Sequence, residues 1–529
     1  MASKFPKPNK KKPLTRRLTE KSCANSTLEK NREKTLEIAA TSIPSYFNRH
    51  FRGIQPPTVP SANSLNRFFS PQPLKPSPLT DQKTEEPPKV IQDPFMSLLL
   101  SSNGIELYKV YEPNYKYFIS PGNNDPLIKK ILRSKSGWSK SFSPHSANLI
   151  WTEVRKSSIF DLVPKGQTTK KTLSNIEAFT TTSPILPETQ FRPLTTTSTL
   201  NPLKIKIYNK LEGNSELSSK KKLFVNMTQY YKAIGKDPFE YIPLTFHIVN
   251  GETDKSFPKF VEKFKNFQEL CKTDPLLNNL WIIKPGEATN RGVGISVCST
   301  LEEISNIVNE KIVKKNITRT FIVQKYLYRP LLYQNRKFDI RCYVLVTIFN
   351  NNVQGYMYKE GYLRTSCQEF SSQQEDDKFI HLTNDAVQKN SPNYGKYEDG
   401  NKLSYDEFQE YLNGLGEKVQ FKEEVYGKIR EMVRDTLVAT WRKMNLNNRF
   451  HCFEVFGYDF MIDEMFKPWL IEVNTNPCLA LSGKYLNTLI PSMLSHSFEI
   501  VLDQLFPTNR KPTGTNQYEL IFSQVLHES

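Results

Sequence analysis

Apolar residues are spread unevenly along the chain. Through the first 95 residues they follow no period of two or of three to four, and Pro, Ser, Asn and Lys fill the gaps. A stretch without a continuous apolar face cannot offset the entropy of ordering, so residues 1–95 are predicted to be a disordered basic arm. A second such stretch, "KGQTTKKTLSNIEAFTTTSPILPETQFRPLTTTSTLNP" at 165–202, reads as a flexible Thr/Pro-rich insertion. Between the two, "DPLIKKILRSKSGWSKSF" is helix-like and "ANLIWTEV" strand-like. From 203 onward ordered patterns dominate. "SKKKLFVNMTQYYKAIG" reads as a helix, "NNLWIIKP" as a strand, and "TLEEISNIVNEKIVKK" as a capped helix. "FIVQKYL", "KFDIRCYVLVTIF" and "NVQGYMYKEGYLRT" read as strands, and "SYDEFQEYLNGL" and "EEVYGKIREMVRDTLVATWRKM" as helices. With no internal repeat, the prediction is an α+β or α/β body behind an unstructured arm.

The stretch "FEVFGYDFMIDEMFKPWLIEVNTNPCL", 453–479, places carboxylates in two otherwise apolar strands joined by a short polar link. If the hairpin folds about Met465 and Phe466, Asp459 faces Glu472, and alternation puts Asn474 on the same side one pleat along. Facing acids are unfavourable, so a positive group is expected between them. Oxygen donors without nearby His or Cys suit a hard cation, Mg²⁺ rather than Zn²⁺. An edge hairpin with its acids in water fits the same letters.

"WIIKPGEATNRGVGISV" ends a strand on Lys284 and follows it with Gly286, Gly292 and Gly294. Such a loop can bring backbone N–H groups to a phosphate, or simply turn a hairpin; it matches neither a Walker A loop nor a dinucleotide fingerprint. In "RKFDIRCYVLV", alternation puts Lys337, Asp339, Arg341 and Tyr343 on one face. That face is either solvated or lines a polar cleft, and the apolar continuation "YVLVTIF" favours a cleft. Arg364 in "YKEGYLRTS" could bind a carboxylate through its planar fork. His381 and Asn384 in "FIHLTNDAV", and Gln324 and Lys325 in "IVQKYLYRPLL", carry little information singly. Taken together, these groups suit a nucleotide triphosphate held beside a carboxylate.

Composition narrows the class. A hydrophobic content of 38% can build a core, whereas 35 prolines fit long unfolded parts. The net charge of +18 predicts an acidic partner without choosing among nucleic acid, membrane and protein. The 7 cysteines are scattered and form no CxxC pair, which argues against zinc and a disulfide framework and fits a reducing compartment. No signal-peptide core and no apolar run of membrane-spanning length is present, so a soluble intracellular protein is expected.

The block from 280 to 485 resembles the tubulin–tyrosine ligase family, tubulin-modifying ligases of the ATP-grasp fold. The match rests on "WIIKPGEATNRGVGI", "FIVQKYLYRPLLYQNRKFDIRCYVLVT", "YKEGYLRTS", "HLTNDAVQKNSPNYGKYEDGNKLSYDEFQEYL" and the carboxylate hairpin. The resemblance implies an N-terminal subdomain at 96–164 and 203–250, a central one at 251–365, a C-terminal one at 366–510 with the Mg²⁺ site, and a tail at 511–529.

It further implies that Lys220, Lys284, Gln324, Lys325, Tyr326, Leu327, Lys337, Asp339, His381, Leu382, Thr383 and Asn384 surround ATP. Asp459, Glu472 and Asn474 would hold Mg²⁺, and Arg341 and Arg364 would bind the acceptor's carboxylate. The implied activity joins tyrosine, glutamate or glycine to tubulin through an acylphosphate. A monomer acting on acidic tubulin tails or microtubules, in the cytoplasm and cytoskeleton and at the cilium or basal body, is what the resemblance suggests. Nothing resembles a nucleic-acid-binding module. An inactive microtubule-binding relative, or a ligase for a non-tubulin carboxylate, is the alternative.

Overall fold

A computed structural model describes residues 114–122, 124–165, 202–286, 292–309, 320–349, 352–374, 376–508 and 514–525. The predicted arm at 1–95, and the insertion at 165–202 apart from its two end residues, lie outside them.

The first strands are short: β1 (Tyr115–Ile119), β2 (Trp138–Lys140) and β3 (Leu149–Trp151), with helix α1 (Asp125–Arg133) after β1. β1 runs parallel to β2 and β3, and β3 runs parallel to β4 (Ile207–Tyr208). Parallel neighbours need a crossover, and α1 supplies one between β1 and β2. The chain then turns through 209–214 into α2 (Lys220–Ala233). Three lysines open α2, where the helix dipole disfavours cations. Acids offset this: Lys220 pairs with Glu472 at 3.1 Å and Lys222 with Glu216 at 2.7 Å.

The next strands, β5 (Thr245–Ile248), β6 (Trp281–Pro285), β7 (Ser296–Cys298) and β8 (Phe321–Lys325), form a separate antiparallel sheet in the order β5-β8-β6-β7. Its apolar face carries Trp281, Ile283, Phe321 and Val323 against Phe260 and Phe264 of α3 (Phe257–Thr273). Alternation therefore turns Ile282, Lys284, Ile322 and Gln324 to the opposite face.

The remaining strands build the large sheet: β9 (Leu332–Tyr333), β10 (Arg336–Phe349), β11 (Asn352–Tyr358), β12 (Tyr362–Glu369), β13 (Lys402–Leu403), β14 (His451–Ile462), β15 (Pro468–Thr475) and β16 (Tyr518–Val525). β10 is its hub, pairing with β9, β11, β12 and β14, while β4 joins the first strands to β14. Strands 336–369 thus pair with the carboxylate hairpin rather than with the small sheet, whose last strand ends at Lys325. Within 511–529, set apart by sequence as a tail, β16 pairs with β11.

Both faces of the large sheet are covered. Phe338, Ile340, Val344, Phe456 and Tyr458 form a core with helix residues such as Val433. Tyr343, Leu345, Phe453 and Val455 pack against the last helix, Lys484–Leu502. Both crossings of the chain between the two sheets are fastened to one hairpin. On the way in, Leu470 of β15 donates its N–H to Tyr241 O at 3.1 Å. On the way out, Leu331 donates to Ile462 O at 2.9 Å, Glu464 donates to Arg329 O at 3.1 Å, and Arg329 pairs with Glu464 at 2.5 Å.

Candidate active site

The long strand β10 changes character half-way along one face. Its odd positions Tyr343, Leu345 and Phe349 are buried in the second core, whereas Lys337, Asp339 and Arg341 precede them on the same side. Charge buried in a central strand needs partners, and the strand register supplies them. Asp339 lies opposite Arg364 of β12, Arg341 opposite Asp459 of β14, and Asp459 opposite Glu472 of β15. The facing of Asp459 and Glu472 expected from the hairpin midpoint is therefore observed. A bulge after Asp459 shifts the pairs nearer the turn by one residue.

The side chains form one connected network. Arg364 gives Nε and Nη2 to Asp339, each at 2.6 Å, and Nη2 also reaches Asp459 at 2.9 Å. Arg341 gives Nε and Nη2 to Asp459 at 2.5 and 3.0 Å. Asn474 Nδ2 donates to both Asp459 and Glu472 at 3.1 Å. Lys220 meets Glu472 from α2. Burial works to raise the Glu472 carboxyl, but Lys220, the Asn474 amide and Lys284 outweigh it and hold the group well below the usual carboxylate range.

Two further clusters close around this row. From the small sheet, buried Lys284 donates to Gln324 Oε1 at 2.8 Å, and Gln324 Nε2 donates to Thr245 Oγ1 at 2.9 Å. Desolvation pushes Lys284 down to about 8, with Glu472 opposing and Lys220 adding to the shift. On the other side, Lys337 donates to the Tyr326 hydroxyl at 2.8 Å and to His381 O at 3.1 Å. Tyr326 Oη lies 2.8 Å from His381 Nδ1, and His381 Nε2 lies 2.7 Å from Gln374 O. A carbonyl can only accept, so Nε2 carries the proton and Tyr326 donates to Nδ1. Burial lowers Lys337 to about 7.

Thr383 Oγ1 donates to Asp339 at 2.7 Å, and Leu382 is half-buried beside it. Asn384 Oδ1 is buried without a hydrogen-bond partner. Gly292 of the glycine loop sits against Leu382 and Asn384: a Cβ there would fall 3.2 Å from Leu382 Cδ1 and 3.3 Å from Asn384 Nδ2. With φ at +76°, Gly292 occupies a conformation that side chains rarely adopt. At Gly292 the β6–β7 connection therefore packs against the 382–387 segment that follows β12.

Lys325 is not brought to this cluster. It follows Gln324 in β8 and so points to the opposite face, where its ammonium donates to Asn278 O at 2.6 Å and Leu280 O at 3.1 Å beside the rings of Phe267 and Trp281. Desolvation lowers it to about 7. Leu327 is half-buried on the connection leaving the small sheet. Sequence reasoning missed Lys402, which lies opposite Arg364 in register and pairs with Asp385 at 2.8 Å. Burial alone would raise Asp385; Lys402 and Tyr394 reverse this and hold it below the usual range. A lysine in a two-residue strand leaves no periodic signal.

The charge balance demanded by the facing acids is met here by Arg341, Arg364 and Lys220, so the acid pair does not by itself call for a metal. Among the described residues no group of three or more His, Cys, Asp or Glu is arranged to hold one. The set that fits Mg²⁺ is Asp459, Glu472 and the carboxamide of Asn474. All are oxygen donors, drawn together by the bridging amide, and Glu472 is held ionised. For a nucleotide, Lys220 and Lys284 offer positive charge and Asn384 an unsatisfied oxygen.

Residues 198–512 match the sequence profile described as the "Tubulin-tyrosine ligase family". The chain belongs to the tubulin–tyrosine ligase family. Among related proteins, "Tubulin glycylase 3B" of Drosophila melanogaster is 36% identical over 251 residues, 46% of this chain and 31% of the relative. "Tubulin glycylase 3A" of the same fly is 35% identical over 252 residues, 47% of this chain and 24% of the relative. "Probable alpha-tubulin polyglutamylase Ttll1" of Tetrahymena thermophila is 28% identical over 334 residues, 59% of this chain and 76% of the relative. The chain thus spans under a third of each fly glycylase's own length. The family match covers every site residue above, from Lys220 to Asn474.

Proposed function

We propose that this member of the tubulin–tyrosine ligase family is an ATP- and Mg²⁺-dependent ligase of ATP-grasp architecture that joins a free amino acid to a carboxylate of tubulin. The observation that carries the reading is the convergence of Lys220 on Glu472, bridged through Asn474 to Asp459 and the two arginines. Such a row suits transfer of a phosphoryl group, where positioning and charge neutralisation supply most of the catalysis.

In the reaction that fits this site, an acceptor carboxylate oxygen attacks the γ-phosphorus and ADP leaves, giving an acylphosphate. The amino acid's amine then attacks the acyl carbon, phosphate leaves, and the amine's proton passes to solvent. Bound Mg²⁺ would supply charge neutralisation on the phosphates. Lys220 and Lys284 hold the phosphate end, and Lys337, Asp339, Thr383 and Asn384 line the nucleotide's other side. Arg341 and Arg364 commit Nε and Nη2 to internal acids, so an acceptor carboxylate would meet their Nη1 nitrogens. No covalent nucleophile on the chain is required.

Several relatives are named for glycine or glutamate, which favours those donors over tyrosine. The net charge of +18 suits acidic tubulin tails. The test is incorporation of labelled glycine, glutamate and tyrosine into purified tubulin with Mg-ATP, beside Glu472→Gln. One label incorporated, and lost in the variant, is expected. No label incorporated with ATP bound would redirect the search to another acceptor; no ATP binding would overturn the reading.

A further inference from the structure

The acid row has a counterpart on the other side of the same strand. Glu454 lies on β14 with Cys452, Phe456 and Tyr458, on the face that forms the first core, and is fully buried. A carboxylate there is costly unless every lone pair is met. Four donors meet it. Lys210 Nζ and the Leu211 N–H each lie at 3.0 Å, Asn214 Nδ2 lies at 3.2 Å, and the Thr475 hydroxyl completes the set.

Three of these donors come from the loop 209–214, and the fourth from the end of β15. The loop is pinned elsewhere too. Asn209 exchanges hydrogen bonds with the Thr152 backbone at 2.8 and 3.1 Å. Gly213 packs so closely that a Cβ would fall 1.9 Å from Lys443 O. Beyond the loop the short helix Ser215–Ser218 leads to Lys220; just before Thr475 stands Asn474.

We infer that Glu454 is a positioning residue: without touching substrate, it sets the start of α2 and the end of β15 against one another, and so fixes Lys220 on Glu472 and Asn474 between the acids. This rests on the ligase reading for its functional consequence, but not for the geometry. Exchanging the buried Lys210–Glu454 pair for apolar residues removes both charges at once, which by itself costs little, while the Leu211 N–H, Asn214 Nδ2 and the Thr475 hydroxyl lose their shared acceptor. What the carboxylate adds is one acceptor shared by two segments far apart in sequence.

The test replaces the buried pair together, Lys210→Met with Glu454→Leu, so that neither charge is stranded, and adds Glu454→Gln, which keeps the volume and one acceptor oxygen. Three quantities are read in each: thermal melting, the rate at which an amine-acylating reagent modifies Lys220 (exposed Lys272 as internal control), and the Kd for Mg-ATP. Expected is a folded double variant in which Lys220 reacts several-fold faster while Lys272 does not change. Its Kd for Mg-ATP should rise by roughly tenfold to a hundredfold, as for other residues that orient ligand-holding groups. Glu454→Gln should lie between.

An unchanged Lys220 rate in a folded variant overturns the inference. Should the double variant not fold, the Lys220 rate in Glu454→Gln decides in the same way. If the wild-type chain binds no nucleotide, the ligase reading fails, yet the Lys220 rate still decides whether Glu454 holds that lysine.

Discussion

Arg341 and Asp459 face each other in register across β10 and β14 and are joined by two hydrogen bonds, Nε–Oδ1 at 2.5 Å and Nη2–Oδ2 at 3.0 Å. A residue expected to meet the acceptor is thus also the main counter-charge of a proposed metal ligand. Arg341→Ala leaves Asp459 buried with Arg364 as its remaining cation. Removing one partner of a buried pair costs about 3 kcal/mol or more. Denaturant unfolding should show that loss, and a midpoint close to wild type would mean that Arg364 and Asn474 suffice.

The Tyr326 hydroxyl accepts from Lys337 and donates to His381 Nδ1. Tyr326→Phe keeps the ring but leaves buried His381 Nδ1 without its donor and Lys337 with His381 O as its remaining acceptor. A buried group left unsatisfied costs about 1–3 kcal/mol, so a loss of at least about 1 kcal/mol is expected by equilibrium unfolding. The His381 imidazole should keep its proton on Nε2, held by Gln374 O, while Nδ1 loses its donor, a change that ring nitrogen shifts in NMR would report.

Burial pushes Lys337 down to about 7, against about 10.4 in an unfolded chain. Above pH 7 the unfolded chain therefore holds a proton that the folded protein has released, so this residue's penalty is relieved as pH rises and is fully present below pH 7. Relative to Lys337→Met, the wild-type chain should gain about 2 kcal/mol of stability between pH 7 and 9. Parallel pH dependences in the two proteins would show that Lys337 keeps its ordinary pKa.

Gly457 lies opposite Tyr343 in β14, two residues before Asp459. A Cβ there would fall 2.8 Å from Pro477 Cβ and 3.2 Å from Arg341 Nη1. Gly457→Ala must displace a stiff ring or the guanidinium, and crowding of this kind costs about 1–3 kcal/mol. Amino acid incorporation should fall at least about tenfold, since small misplacements of binding groups are expensive. Unfolding and the labelled-donor assay, run side by side, separate the two effects.

The parts of the fold visible in the sequence are those whose signal is local. Alternation in "RKFDIRCYVLV" gave the polar and apolar faces of β10, and the symmetry of the hairpin about Met465 and Phe466 gave the Asp459–Glu472 pair. The bulge beyond Asp459 has no such signature. Partner choice was hidden as well: Arg341 and Asp459 lie 118 residues apart, and nothing local says that β10 pairs with β14 rather than with the small sheet. Alternation along β8 separates Lys325 from its neighbour. Gln324 and Lys325 are consecutive in a strand, so they could not both face one pocket. Glu454 reads as one acid in an apolar run, and its role emerges only once Lys210 and Thr475 are beside it.

The fastening of both inter-sheet crossings to the carboxylate hairpin has a mechanical consequence. Tyr241 is bound to β15 and Leu331 to β14, so the small sheet enters and leaves along the two sides of one tip. That tip is an axle. If the small sheet tilts, Lys284 rides on the swinging arm while Asp459, Glu472 and Asn474 stay with the pivot. Opening and closing the cleft would then change the separation of lysine from acids without disturbing the spacing of the acids themselves.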